Sequence, residues 1–378
     1  MGFFRKLFGG GDEAPAPEPE TAPAPAPPVK EPELEIPAPL DDPYRGPAYV
    51  EADAADEMVE VGPAAPIFHY RGRVLALEPN RRGPLPLRSM VYTGLAHDML
   101  VLRKLTFGNS GYRVDWEHIT EFPEAYDRYV TRIGDRIVMP RKTGVVAIHL
   151  ATGRPCWELP HPAALQQQPR LDKAGNLVLV FTDQSWMVVA LRDGATVSEG
   201  VARNDRDVEN LLKGTHELGW SLGREARYAG ASVYLDASML RVTGGRSTAG
   251  DGPAAPTKGE YPFDGQWQGG RWLTLAGGKL VVQMERGFGD KRWGAIGLLD
   301  PTSLEPLQLL ELGQVTASLT GWTVDELIVV DTDLPDTPDD VMFIIDPESE
   351  RVVALLREGK ADAFLFDRDG NRIWAAPV

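Results

Sequence analysis

The sequence predicts an all-β protein, a seven-bladed β-propeller over residues 66–378 that follows a disordered N-terminal arm. Three observations support this prediction. Short β-rich runs recur at about the length of one four-stranded blade, and most of them are followed by a second run that ends in a turn. Residues 11–65 also lack the apolar content that a folded domain needs.

Residues 1–10 predict a short amphipathic helix that serves as an anchor. Its apolar side chains have helical spacing, and two basic residues lie on the other side. The apolar set is Phe3, Phe4, Leu7 and Phe8, and the basic pair is Arg5 and Lys6. Exposed aromatic side chains favour burial in a membrane surface or in the groove of a protein partner. A disordered start without a docking role is the alternative.

Residues 11–65 predict a disordered, acidic tether rich in Ala, Pro and Glu. Prolines alternate with other residues between Pro15 and Pro27, which favours an extended conformation of about 3 Å per residue. Such a segment can hold the folded body away from whatever the N-terminus contacts. A solubilising tail without a spacing role is an equally good interpretation.

The repeats follow the tether, and each start is marked by a small or acidic residue before a β-rich run. Successive marks lie 37 to 56 residues apart. The marks are Asp98, Asp135, Gly175, Ala231, Gly278, Asp325 and Asp369. The run at Asn371 is too short to complete a blade, and the run at Val74 lacks a start strand. We therefore expect the C-terminal strand to pair beside residues 66–92, closing a ring of seven blades.

The clearest repeat unit is a β-hairpin predicted over residues 144–158. An alternating apolar run ends at the Thr152-Gly153 turn, and a second run carries Cys156 and Trp157. Cys156 is expected to be a small buried side chain, and Trp157 is expected to pack between blades.

The longest interval between marks predicts a short helical insertion. Asn204 can cap this helix, which places Val208, Leu211 and Leu212 on one face.

The segment from Ala147 to Trp157 resembles the PQQ-like β-propeller repeat, whose signature places Ala, an acidic residue, Thr-Gly and Trp along one hairpin. The matching positions are Ala147, Thr152, Gly153 and Trp157, and His149 stands where the family has the acidic residue. Other blades keep fragments, such as Asp300 and Asp346 at the turn. The resemblance implies the propeller fold over residues 66–378.

The same resemblance bears on function. The quinone-dependent enzymes of this family typically have eight longer blades, a secretion signal, calcium and often adjacent cysteines. This sequence has one cysteine and no recognisable signal. The resemblance therefore implies the branch without a cofactor, whose members serve as assembly scaffolds.

The net charge and its distribution along the chain limit the kinds of molecule that this protein is expected to bind. The net charge is −16, and residues 1–65 hold 14 acidic and 4 basic side chains, so the folded part is nearly balanced. Because a clustered basic face is missing, we expect no nucleic-acid partner. No apolar run approaches the length of a membrane-spanning helix. We expect a cytoplasmic protein whose N-terminal segment can place it at the inner face of the membrane.

Two loops are candidate partner-binding surfaces. The first loop carries five carboxylates: Asp331, Asp333, Asp336, Asp339 and Asp340. Carboxylates could bind Ca²⁺, but the central Gly and closing Glu of an EF-hand are missing, so a solvated acidic loop is favoured and no metal site is expected. The second loop is glycine-rich and contains Arg246.

No catalytic, phosphate-binding or dinucleotide-binding motif is present, and no two histidines have metal-ligand spacing. We therefore assign no catalytic residue and favour a non-enzymatic scaffold that binds a protein partner through its blade loops. The alternative is a hydrolase or lyase whose polar residues converge at the mouth of the central channel. Several carboxylates or histidines meeting in one pocket would favour that enzyme.

Overall fold

The computed structural model describes residues 70–96, 99–108, 111–121, 129–217, 222–244, 254–263, 266–289, 292–317, 319–334, 340–357, 363–366 and 372–375. The predicted anchor, the predicted tether, Arg246, Asp336 and Asp339 lie outside these residues. Within them the chain forms 27 strands in six antiparallel sheets and one α-helix. The all-β prediction is confirmed, and the arrangement is propeller-like.

The strands of the first three sheets have the following bounds. Sheet 1 contains β1 (Tyr70–Pro79), β2 (Leu87–Ala96), β3 (Met99–Gly108) and β4 (Gly111–Glu121). Sheet 2 contains β5 (Thr131–Ile133), β6 (Arg136–Arg141), β7 (Gly144–His149) and β8 (Pro155–Pro160). Sheet 3 contains β9 (Arg170–Leu171), β10 (Leu177–Val180), β11 (Ser185–Val189), β12 (Thr196–Val201) and β13 (His216–Glu217). The helix α1 (Asp205–Leu212) lies between β12 and β13.

The other three sheets complete the described chain. Sheet 4 contains β14 (Glu225–Tyr228), β15 (Ala231–Leu235), β16 (Met239–Gly244) and β17 (Gly259–Pro262). Sheet 5 contains β18 (Gln268–Ala276), β19 (Lys279–Arg286), β20 (Trp293–Leu299) and β21 (Pro306–Gln314). Sheet 6 contains β22 (Thr320–Val324), β23 (Leu327–Asp333), β24 (Asp340–Asp346), β25 (Arg351–Arg357), β26 (Ala363–Phe366) and β27 (Arg372–Ala375).

The core lies between the sheets, because alternate side chains of each strand point to opposite faces. Five hydrophobic clusters join sheet 1 to sheet 2, sheet 2 to sheet 3, sheet 4 to sheet 5, sheet 5 to sheet 6, and sheet 6 to sheet 1. In the last of these, Val74 and Tyr92 of sheet 1 share a cluster with Val329 and Ile344 of sheet 6. None of the five clusters joins sheets 3 and 4 within the described part of the chain, so the closed ring stays a prediction.

The predicted count of seven blades is not confirmed, because the described residues form six sheets. The repeat spacing predicts different blades for the runs at Val74 and after Asp98, but they lie in β1 and β3 of one sheet, where β2 pairs with both. The C-terminal strand β27 pairs with β26 and not beside residues 66–92. Short connections favour pairing between strands that follow each other in the chain, and β25, β26 and β27 follow this rule.

The predicted hairpin and helix are confirmed. Strands β7 and β8 pair with Ala147 opposite Trp157. The side chain of Asn204 accepts a hydrogen bond from the backbone N–H of Asp207, as expected for a helix cap. No residue of α1 is buried, and no helix in the described residues is long and apolar enough to span a membrane. Cys156 is partly exposed, because β8 is the outer strand of sheet 2.

One carboxylate connects three sheets at the junction between the ends of the described chain. Asp325 lies in the β22–β23 turn with φ of 48° and accepts hydrogen bonds from the Leu77 backbone N–H at 2.9 Å and from Arg132 Nη1 at 2.5 Å. Arg132 also donates to the Leu75 carbonyl at 3.2 Å. Asp325 therefore holds sheet 6 against sheets 1 and 2.

We expect Asp325→Gly to lower the free energy of unfolding by about 2 kcal/mol, because the partly buried Leu77 N–H and the Arg132 guanidinium lose their acceptor. Glycine accepts the positive φ, so this variant isolates the carboxylate from backbone strain. Asp325→Asn, which keeps an acceptor oxygen, is expected to lose less. Urea denaturation followed by circular dichroism measures both variants. An Asp325→Gly variant as stable as the wild type would show that packing alone holds the sheets together.

Candidate functional site

An exposed aromatic tip lies at the end of the β19–β20 hairpin in sheet 5. Arg286 ends β19 and lies opposite Trp293, which begins β20. In the loop between them, Phe288 is 82% exposed, and Trp293 is 37% exposed. We call Arg286, Phe288 and Trp293 the aromatic tip. Aromatic and arginine side chains are enriched at the energetic centres of protein interfaces.

The arginine of the tip is held between two tryptophan rings. The guanidinium carbon of Arg286 lies 4.7 Å from the Trp267 ring centroid and 5.0 Å from the Trp293 ring centroid. Trp267 is fully buried in the cluster between sheets 4 and 5, and Arg286 Nη2 also lies 3.3 Å from Glu311 Oε2. Cation–π contacts of this kind connect the exposed Trp293 to a rigid core. Arg286 and Trp293 are therefore held in place without a partner, which reduces the entropy cost of binding.

Glycines explain why Phe288 points to solvent. Gly287 and Gly289 have φ of 79° and 57°, a backbone conformation that other residues rarely adopt. The backbone N–H of Arg292 donates to the Gly289 carbonyl at 3.2 Å, which closes the loop. The chain turns at both glycines that flank Phe288, which puts this residue at the end of the loop, and its ring is 82% exposed.

An acidic group in sheet 6 lies beside the aromatic tip of sheet 5. Asp333 at the end of β23 lies directly opposite Asp340 at the start of β24, and Asp331 is two residues earlier on β23. The connection from sheet 5 to sheet 6 joins this acidic group to the tip. In this connection, the Val315 N–H donates a hydrogen bond to the Arg292 carbonyl at 2.9 Å. The N–H of the next residue, Thr316, donates to the Asp333 carbonyl at 2.9 Å. The aromatic tip and the acidic group are therefore neighbours on one end of the molecule.

Asp331 has an unusual protonation equilibrium. The pKa of its carboxyl is raised to about 7, first by burial and then by the negative charges of Asp340 and Asp333. The hydrogen bond from the Thr332 N–H and the charge of Arg73 act in the opposite direction. Asp331 Oδ1 has no hydrogen-bond partner within the described ranges.

The described residues contain no cluster of three or more His, Cys, Asp or Glu arranged to hold a metal ion.

The structure describes part of the acidic candidate loop and leaves residues 245–253 of the glycine-rich candidate loop outside the described residues. It brings Asp331, Asp333 and Asp340 together on sheet 6. Arg246 itself lies outside the described residues, but the carbonyl of Ala254, which follows its loop, accepts a hydrogen bond from Thr302 Oγ1 at 3.3 Å. Thr302 lies in the β20–β21 turn, at the opposite end of sheet 5 from the aromatic tip. The predicted anchor residues also lie outside the described part of the chain.

The residues that match the repeat signature have structural contacts. Ala147 and Trp157 are buried between sheets 2 and 3, and Trp157 Nε1 donates to the Leu191 carbonyl at 2.9 Å. A Cβ atom added at Gly194 would lie 2.8 Å from the Trp157 ring, and one added at Gly153 would lie 2.5 Å from the Trp116 ring. The hydroxyl of Thr152 accepts from the Arg154 N–H at 3.3 Å within the turn. In two successive sheets, therefore, a tryptophan packs on the glycine turn of the next sheet.

A cleft lies between sheets 1 and 6. Its volume is about 390 Å³, within the range of ligand pockets. The lining residues are Asn80, Arg81, Pro86, Asp346, Glu348, Ser349, Arg351 and Val353. Asp346 accepts hydrogen bonds from the Glu348 N–H and from Ser349 Oγ, and Arg81 forms an ion pair with Glu348. These carboxylates stabilise the turn and the contact between sheets, and no histidine lines the cleft.

The aromatic tip was not predicted from the sequence. Its signal is Phe288 between Gly287 and Gly289, a large apolar residue at a turn position where polar residues are usual. The signal is weak, because the exposure of the ring depends on the neighbouring sheets.

Comparisons with known proteins add little. No protein-family model matches the chain, and no curated protein matches it. Among solved structures, the crystal structure of BamB from Moraxella catarrhalis is similar over 81% of this chain and 99% of that chain, with 11% sequence identity and a TM-score of 0.27. A similarity of this strength carries no argument about function, so the propeller-like fold rests on the six antiparallel sheets of the chain itself.

Proposed function

We propose that this protein is a non-enzymatic scaffold that binds a protein partner through the aromatic tip. The observation that carries the proposal is the exposure of Phe288 beside Trp293, which Arg286 holds against the core. Keeping a phenylalanine in water is unfavourable, and a rigid Trp–Arg pair beside it supplies the composition of an interface centre. The partner gains affinity by covering all three side chains at once.

Two finer features belong to the same proposal. The chain is a member of the scaffold branch of the PQQ-like repeat, and the packing of Trp116 and Trp157 on the next turn supports a repeat. Residues 1–10 anchor a cytoplasmic protein to a membrane surface or an assembly, residues 11–65 act as its tether, and residues 66–378 are the folded body. The apolar and basic composition of the first ten residues supports the anchor.

Phe288→Ser is expected to weaken partner binding about tenfold or more, because truncating a side chain at an interface centre costs at least that much. The substitution leaves the fold intact, since the ring is largely in water. Affinity isolation from cell extract with the wild type and the variant identifies proteins that depend on Phe288. The purified partner is then measured by isothermal titration calorimetry.

Leu307→Ser is the matched control. Leu307 is 42% exposed in β21 of the same sheet, but it lies near the β20–β21 turn, away from the tip. This variant is expected to bind like the wild type. Equal loss with both variants would show that general surface hydrophobicity drives the binding, and no loss with Phe288→Ser would remove the tip as the partner site.

A further inference from the structure

We propose that residues 3–8 of this chain dock on the aromatic tip and the adjacent Asp333 and Asp340, so that the N-terminal segment competes with the protein partner. This inference rests on the proposed function, because it assigns a regulator to the same surface. The occupant is a segment of the same molecule, and the surface is the end of sheets 5 and 6 described above.

The chemistry of the segment matches the chemistry of the surface. The segment places three phenylalanines and one leucine around Arg5 and Lys6. The surface offers the exposed Phe288 ring and the edge of Trp293, with Asp333 and Asp340 on the neighbouring strands. Aromatic side chains can therefore cover each other while the two basic groups lie near carboxylates. A surface made only of apolar side chains would lack this charge preference.

The local charge of the tip also favours a basic segment. Arg286 lies 3.3 Å from Glu311, and Arg292 lies 3.7 Å from Glu285, so each arginine of the hairpin has a glutamate beside it. Asp333 and Asp340 of sheet 6 add two carboxylates to this end of the molecule, and Arg73 adds one cation near them. An acidic or phosphorylated peptide would be repelled here, whereas Arg5 and Lys6 would be attracted.

The start of the described chain lies on the correct side of the molecule. Val74 of β1 packs in the same cluster as Val329 of β23, and the charge of Arg73 acts on Asp331. The N-terminal arm therefore leaves the folded body beside the acidic strands. We expect residues 9–69, which include the predicted tether, to bridge the two regions, because even coil dimensions give 61 residues a reach on the order of 40 Å.

Covalent linkage makes this weak complementarity effective. A tethered segment experiences an effective concentration of about 1 mM at its own docking surface, so modest contacts suffice to populate the docked state. A partner that needs the same tip then binds with an affinity reduced by the fraction of molecules whose tip is covered. Burial of the N-terminal aromatics elsewhere would release the tip for the partner.

The test uses the full-length protein with a photoreactive benzoylphenylalanine in place of Phe8. Irradiation and mass spectrometry are expected to place most cross-links within residues 286–293 and 331–340 of the same molecule. Phe288→Ser and the double variant Arg5→Glu/Lys6→Glu are each expected to reduce these cross-links about fivefold or more. Leu307→Ser should leave them unchanged.

Three results would overturn the inference. Cross-links spread over the surface and insensitive to Phe288→Ser would exclude docking at the tip. In a mixture of isotope-labelled and unlabelled protein, cross-links between copies would assign the surface to a second molecule. Cross-links to the lipid of phosphatidylglycerol vesicles, with none at residues 286–293 or 331–340 before the vesicles are added, would assign the segment to a membrane. Partner binding that depends on Phe288 without these cross-links would leave the proposed function standing and reject the docking alone.

Discussion

Arg103→Met is expected to lower the free energy of unfolding by about 3–5 kcal/mol, because it leaves a buried carboxylate without its cation. Arg103 and Glu117 lie opposite each other on β3 and β4 and are 8% and 7% exposed. The Arg103 guanidinium donates to Glu117 Oε2 and to the Tyr92 hydroxyl, the latter at 3.2 Å. Burial also raises the pKa of Tyr92, so its hydroxyl stays protonated. Urea denaturation followed by circular dichroism measures the loss.

The double variant Arg103→Met/Glu117→Leu separates the charge from the packing. Replacing both ions by apolar side chains of similar size is expected to recover most of the lost stability. Arg113→Met, which removes a more exposed ion pair with Asp115, is expected to cost less than about 1 kcal/mol. A double variant as unstable as Arg103→Met would show that the shape of the pair, and not the unpaired charge, stabilises the junction of sheets 1 and 6.

Asp331→Asn is expected to make the protein more stable than the wild type at alkaline pH, by up to about 4 kcal/mol. The folded-state pKa of Asp331 is raised from 3.8 to about 7. Because the folded protein holds this proton more tightly than the unfolded chain, protonation of Asp331 stabilises the fold. This contribution to the free energy of unfolding is complete below the unfolded-state pKa and is lost as the pH rises through the folded-state pKa. The wild type therefore loses this contribution between pH 3.8 and about 7. Asparagine has no charge to bury and avoids the loss.

The measurement is the difference in urea midpoint between Asp331→Asn and the wild type at several pH values. Working from about pH 5.5 to 8.5 avoids the isoelectric point, and the stability difference is expected to grow by about 2 kcal/mol over this range. Asp236→Asn, at a half-exposed aspartate in sheet 4, should show no such growth. A difference that is constant with pH would mean that the Asp331 carboxyl of the folded protein does not titrate with a raised pKa in this range.

Local features of the fold could be predicted because they depend on neighbours in the sequence. The hairpin of β7 and β8 follows from its apolar alternation and from Gly153, which has the positive φ that the turn needs. The cap of α1 follows from the hydrogen bond that Asn204 makes three residues along the chain. The number of sheets could not be predicted in this way, because β1 and β3 become strands of one sheet only through their pairing with β2.

The aromatic tip and the acidic group also combine features that can be predicted from the sequence with features that depend on the folded chain. The acidity of Asp331, Asp333 and Asp340 is visible in the sequence, but the raised pKa of Asp331 comes from its burial in the folded chain and from the charges of Asp340 and Asp333. The aromatic tip depends on Trp267 and Trp293, which approach Arg286 from both sides only in the folded chain.

By itself, the sequence determined the all-β class, the repeated hairpins and the composition of the N-terminal arm, because periodicity, turn chemistry and charge act over a few residues. Tertiary structure alone decided which sheets pack together, which aspartate is buried and where an aromatic ring faces water. These features join residues that are far apart in the chain, as Asp325 joins Leu77. The energies of such contacts depend on distance and burial, which the order of residues does not specify.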